Sequence, residues 1–97
     1  MTVSEFWHLK YGTIVENPSD FGWGWKGVVV RREVHDEVCG FIMSKRNTRD
    51  IKTGRKYLEI TFETENGSRY YVQSDNPAKI KKLVIQNGGC NENDRCI

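Results

Sequence analysis

Apolar and polar residues alternate most regularly at 57–64, where Leu58, Ile60 and Phe62 fall on one side and Glu59, Thr61 and Glu63 on the other. A period of two is that of a half-buried strand with one solvent face. Arg69, Tyr70, Tyr71 and Val72 read as its return strand. The Asn66-Gly67 between them predicts a type I′ hairpin turn, whose two central positions need positive φ. Upstream, the β-branched run from Gly27 through Val34 is the strongest strand signal in the chain. The polar His35-Asp36-Glu37 predicts a turn, and residues 38–43 the next strand, so the pair reads as a hairpin.

The flanks are read from their turn and cap residues. Thr2-Val3-Ser4-Glu5 has the Ser/Thr-x-x-Glu spacing of a capping box, which allows a short helix up to Tyr11 with Gly12 as its terminator. The alternation of Trp7, Leu9 and Tyr11 with Phe6, His8 and Lys10 points instead to a strand, and strand is the reading taken. Thr13-Ile14-Val15 continues in β-branched residues until Asn17-Pro18-Ser19-Asp20 breaks the run. Asn76-Pro77 announces a helix, with a capping side chain followed by proline where its missing amide costs nothing. Ile80, Leu83 and Val84 would form the inward stripe of this helix, and Asn87-Gly88-Gly89 its stop.

These elements predict a mainly β (α+β) fold of about five strands with one C-terminal helix. The sheet is a small antiparallel one, or a partly open barrel of the SH3-like or OB-like kind. Residues 1–89 form a single small β-rich domain, and 90–97 a flexible polar tail. At 97 residues the chain is large enough for one core without a metal or disulfide support. No apolar run approaches the length of a bilayer span, and the N-terminus lacks a basic segment followed by an apolar stretch. The expectation is therefore a cytoplasmic protein with no membrane partner.

Charge changes this picture more than composition does. Residues 1–44 carry four Lys/Arg against six Asp/Glu, a balance of −2, whereas 45–97 carry eleven against seven, a balance of +4. The cations concentrate at 44–56, where Lys45, Arg46, Arg49, Lys52, Arg55 and Lys56 stand against the single acid Asp50. With Thr53-Gly54 as its turn signal, this stretch reads as a long basic hairpin loop between the strands at 38–43 and 57–64. Like charges held so close repel one another, which favours an anionic counterpart.

A second unusual segment is Phe21-Gly22-Trp23-Gly24-Trp25-Lys26-Gly27. In an extended chain Phe21, Trp23 and Trp25 share a side, and the glycines leave the other bare. The rings either point into the core, as large aromatics commonly do, or form an exposed stacking platform. The Gly-x-Gly-x-x-Gly spelling at 22–27 precedes a strand instead of following one and opening a helix, so it is not a nucleotide fingerprint.

No catalytic or metal signature emerges. His8, His35, Cys39, Cys90 and Cys96 contain no Cys-x-x-Cys pair, and the Cys90 to Cys96 spacing is wider than that of a zinc knuckle. Cys39 reads as a small core residue, and Cys90 and Cys96 as exposed tail thiols. Asp36-Glu37 separates His35 from Cys39, and Glu59 and Glu63 lie on a solvated strand face. We expect no cofactor, no metal and no enzymatic activity.

The expected function is that of a binding or regulatory module of adaptor or inhibitor type, docking on a partner protein with an acidic surface or groove. Its contact residues would be Lys45, Arg46, Arg49, Lys52, Arg55 and Lys56 of the basic hairpin, with Trp23 and Trp25 of the aromatic segment. The alternative is direct nucleic-acid binding, with the same cations on phosphates and aromatic rings stacked on bases. The near-neutral total of +2 favours the protein partner.

Overall fold

The computed structural model describes residues 1–18 and 24–86. Its elements run α1 (Val3–Trp7), β1 (Ile14–Asn17), β2 (Trp25–Met43), β3 (Thr48–Thr64), β4 (Arg69–Gln73), α2 (Pro77–Lys81) and β5 (Val84–Ile85). All five strands belong to one antiparallel sheet of order β4-β3-β2-β1-β5, which is not closed. The fold is mainly β, with two short helices.

The N-terminal segment is a helix, not the strand that its alternation predicted. Both halves of the capping box form: the Glu5 amide donates to Thr2 Oγ1 at 3.1 Å and the Thr2 amide donates to Glu5 Oε1 at 2.8 Å. Satisfying two otherwise orphaned amides outweighs a period-two pattern of only a few residues. Phe6 and Leu9 are thereby buried. The same carboxylate is held below its usual pKa by those hydrogen bonds from Thr2.

The core lies between the helices and one side of the sheet. Val15, Trp25 and Val29 meet Leu58, Ile60, Phe62 and Val72 from the strands, under Phe6, Leu9, Ile80 and Leu83. Trp25 stacks on Tyr70 at 4.8 Å between ring centroids and tilts against Phe62 at 5.2 Å. Trp25 is thus a core residue, while Trp23 and Phe21 lie outside the described residues. Gly27 faces Phe62 and Glu63 so closely that an added Cβ would stand 3.1 Å from Phe62 Cβ and 3.2 Å from the Glu63 carbonyl oxygen.

Two further expectations are corrected near the C-terminus. The Asn76 side chain accepts from the Lys79 amide and Pro77 opens α2, as the sequence predicts, but this helix ends at Lys81. The Met1 ammonium donates to the Ile80 and Leu83 carbonyls at the end of this helix, and Val84 then enters β5, pairs with Glu16 of β1 and is half exposed. In the β3–β4 hairpin the turn bond runs from the Gly67 amide to the Thr64 carbonyl, so Glu65 and Asn66 are central and Gly67 follows at φ +88°. This is a three-residue connection and not the two-residue type I′ turn. The tail at 90–97, with Cys90 and Cys96, lies outside the described residues.

Candidate binding arm

β2 and β3 outrun their neighbours and continue together as a two-stranded arm. β1 pairs only with residues 25–28 of β2, and β4 only with 59–63 of β3. Beyond these limits the β2–β3 register runs on from Val34↔Leu58 to Met43↔Thr48. The chain consequently measures 59 × 28 × 23 Å along its principal axes.

Two sequence expectations give way here. His35-Asp36-Glu37 is not a turn but continuous strand, and Thr53-Gly54 is not the tip of the basic hairpin. Asp36 faces Lys56 while Val38 faces Lys52, so Thr53, Gly54 and Arg55 bulge opposite Glu37. Gly54, at φ +88°, supplies the left-handed residue of that bulge. The bulge is pinned by the Thr53 hydroxyl, which donates to Glu37 Oε1 at 2.7 Å and accepts from the Arg55 amide at 3.1 Å. A second irregularity at Cys39 shifts the register between Val38 and Gly40, and leaves Cys39 exposed instead of in the core.

The physical reason that these polar residues form strand is cross-strand pairing. Asp36 Oδ1 lies 2.6 Å from Lys56 Nζ, and its Oδ2 lies 3.1 Å from Lys52 Nζ. Those two cations, Lys56 first, hold the Asp36 carboxyl below its usual range. From Glu33 to Met43 the β2 side of the arm has three acids and no Lys or Arg, while residues 45–56 hold six cations. The two sides therefore attract across the ribbon where either alone would repel itself.

The true tip is the turn at 44–47. The Ser44 amide donates to the Asn47 carbonyl at 2.9 Å, and the Ser44 hydroxyl accepts from the Asn47 amide at 3.2 Å. Lys45 and Arg46 occupy its two central positions, with no acidic partner among the described residues. Behind them stand Phe41, Ile42 and Met43, exposed to 61%, 54% and 72%, so more than half of each apolar residue's surface faces water. Ile42 shares a face with its pair Arg49, while Phe41 and Met43 share the other with Asp50 and Thr48. Both faces of the tip thus carry apolar side chains, with the cation Arg49 on one and the acid Asp50 on the other.

Of the sequence-predicted contact residues, the structure brings Lys45, Arg46 and Arg49 together at the tip. It places Arg55 in the bulge and engages Lys52 and Lys56 with Asp36. Trp25 is sequestered in the core, apart from this group. The apolar triplet was missed as a contact feature because a run of three apolar residues in a strand reads as core; only the absence of a matching apolar run at 48–56 signals that it has nothing to pack against.

On the solvent face of the sheet at the base of the arm, Glu33, His35 and Glu59 bring their ligand atoms within 4.8 Å of one another. His35 Nε2 lies 3.2 Å from Glu33 Oε1 and 3.8 Å from Glu59 Oε1, and its ring stacks on Tyr57 at 5.2 Å. Gln73 donates to Glu59 at 2.7 Å, and Arg31 pairs with Glu33 at 2.9 Å. These three side chains are the set among the described residues with the spacing to hold a cation. A concavity of about 410 Å³ opens nearby and includes Asp36, Glu37 and Asp75 in its wall. No helix among the described residues is long and apolar enough to cross a membrane. Comparison of the chain with protein-family models, with characterised proteins and with solved structures found no match.

Proposed function

We propose that this chain is a non-enzymatic binding module, of adaptor or inhibitor type, whose β2–β3 arm docks on a partner protein presenting an acidic groove. The observation that carries this reading is the tip itself, where exposed Phe41, Ile42 and Met43 are bordered by Lys45, Arg46 and Arg49. Large side chains at the centre of a contact supply its affinity and cations at its rim select an acidic surround. Lys52, Arg55 and Lys56 extend the cationic side toward the base, with Lys52 and Lys56 also holding the ribbon closed through Asp36. A cytoplasmic site of action belongs to the same proposal.

The register irregularity that skips Val30 between β2 and β3 is of the kind that bends a strand. Between β4 and β5, at opposite edges, the chain crosses through α2. These features support a sheet curled in the partly open, SH3-like or OB-like manner, with the arm as its outgrowth.

The competing reading is direct nucleic-acid binding, favoured by the ribbon form, since a two-stranded β-ribbon fits a DNA major groove. Titration with generic single- and double-stranded oligonucleotides at low salt separates the two. A protein clamp with an apolar centre predicts no retention, whereas steeply salt-dependent binding would replace the protein reading by the nucleic-acid one. In parallel, a partner retained from source-cell lysate by the wild type should be lost when Arg46, Arg49, Lys52 and Arg55 are changed together to Ala. An unchanged partner set removes the arm from the proposal.

A further inference from the structure

We infer that the arm also pairs with the arm of a second copy of this chain, face to face and antiparallel, the cationic tip of each lying over the acidic base of the other. The inference uses the arm but not its docking on a foreign partner. It rests on a charge pattern that is complementary to itself. At the tip stand Lys45, Arg46 and Arg49 with the single acid Asp50, and at the base stand Glu37, Asp75 and the directly opposed pair Glu33 and Glu59, with Arg55 in the bulge opposite Glu37.

Like charges facing each other across a ladder are unfavourable, and Glu33 with Glu59 is such a pair. Arg31 and His35 meet it from the same sheet, but Glu37 and Asp75 have no cationic partner among the described residues. Between tip and base, on the face that carries Arg49, Ile42 and Ile51 are exposed. A two-fold axis crossing the middle of that face covers Ile42 and Ile51 with their own copies while setting cations on acids at both ends. The contact is isologous, so it closes at two chains and does not propagate.

The contact is made by side chains, not by strand addition. Bulges at Cys39 on one strand and at Thr53-Gly54-Arg55 on the other interrupt both open edges of the ribbon, which keeps a further strand from pairing along them. The faces remain available, and Ile42 and Ile51 lie where two antiparallel ribbons stacked on the Arg49 face would touch.

Sedimentation equilibrium of the reduced protein at physiological salt tests this, with reductant present so that exposed Cys39 cannot link two chains. The wild type should show a concentration-dependent shift to twice the monomer mass. Reversing the tip (Arg46→Glu with Arg49→Glu) or the base (Glu37→Lys with Asp75→Lys) should each weaken the dimer about a hundredfold, because like charges then face each other. An equimolar mixture of the two reversed proteins should restore dimerisation as a heterodimer, a result that loss of folding in either variant cannot mimic. A wild type that stays monomeric at millimolar concentration overturns the inference while leaving partner docking intact. A dimer insensitive to the reversals, or one not regained on mixing, also overturns it.

Discussion

Gly27 is a residue whose smallness is a packing requirement. Its backbone already lies against Phe62 and Glu63, and a methyl group there would enter a space held by the Phe62 Cβ and the Glu63 backbone. Gly27→Ala should destabilise the fold by about 1–3 kcal/mol, the usual range for overpacking, read as a lower urea midpoint at unchanged slope. Asp36 acts at the same scale but through charge. Lys56 and then Lys52 lower its folded pKa, so its pairing stabilises the arm above the unfolded value of about 3.9. That contribution is lost as pH falls through the lowered folded value. An NMR titration from neutral pH downward should place the Asp36 carboxyl midpoint below that of an ordinary aspartate, and Lys52→Ala with Lys56→Ala should return it to the ordinary range. A midpoint unmoved by those substitutions would assign the shift to something else.

Among the elements, the arm and the core obey different rules. No residue of β2 beyond Val29, and none of β3 before Leu58, belongs to the buried core. Replacing residues 38–52 by a short Asn-Gly turn should therefore leave the remaining sheet folded, with its stability changed by about 1 kcal/mol or less. Loss of cooperative thermal unfolding in that variant would show that the arm supports the core after all. The same division explains what could be read from the sequence. Strands that bury one face announce themselves by alternation, as Leu58, Ile60 and Phe62 did, and the Asn76-Pro77 cap correctly marked the start of α2. The arm has no buried face, so it has no period. Its residues at 44–56 looked like a loop because they are charged, and their strand character depends on Asp36 and Glu37, distant in sequence and themselves mistaken for a turn. The tip residues Lys45, Arg46 and Arg49 were legible as a charge cluster. Their apolar neighbours were not legible as surface, since exposure is a property of the fold and not of Phe41, Ile42 or Met43 alone.

Taken whole, the molecule is a folded sheet with a lever. The join is sharply defined where β4 ends, because the Ser74 amide donates to the Leu58 carbonyl at 2.8 Å and the Leu58 amide donates to the buried Ser74 hydroxyl at 2.9 Å. On one side of this clasp β3 is flanked by two strands and backed by the core; on the other it has β2 alone. Hydrogen exchange should reveal a step at that point. The Leu58 amide should exchange only with global unfolding, and amides from Thr48 to Lys56 by local opening at far lower free energy. Comparable protection on both sides of Ser74 would mean that the arm is no separate unit. If the step is there, the Ser74–Leu58 clasp is a firebreak: fraying that starts at the tip stops at Leu58, so the arm can open and close again while the core behind it stays folded.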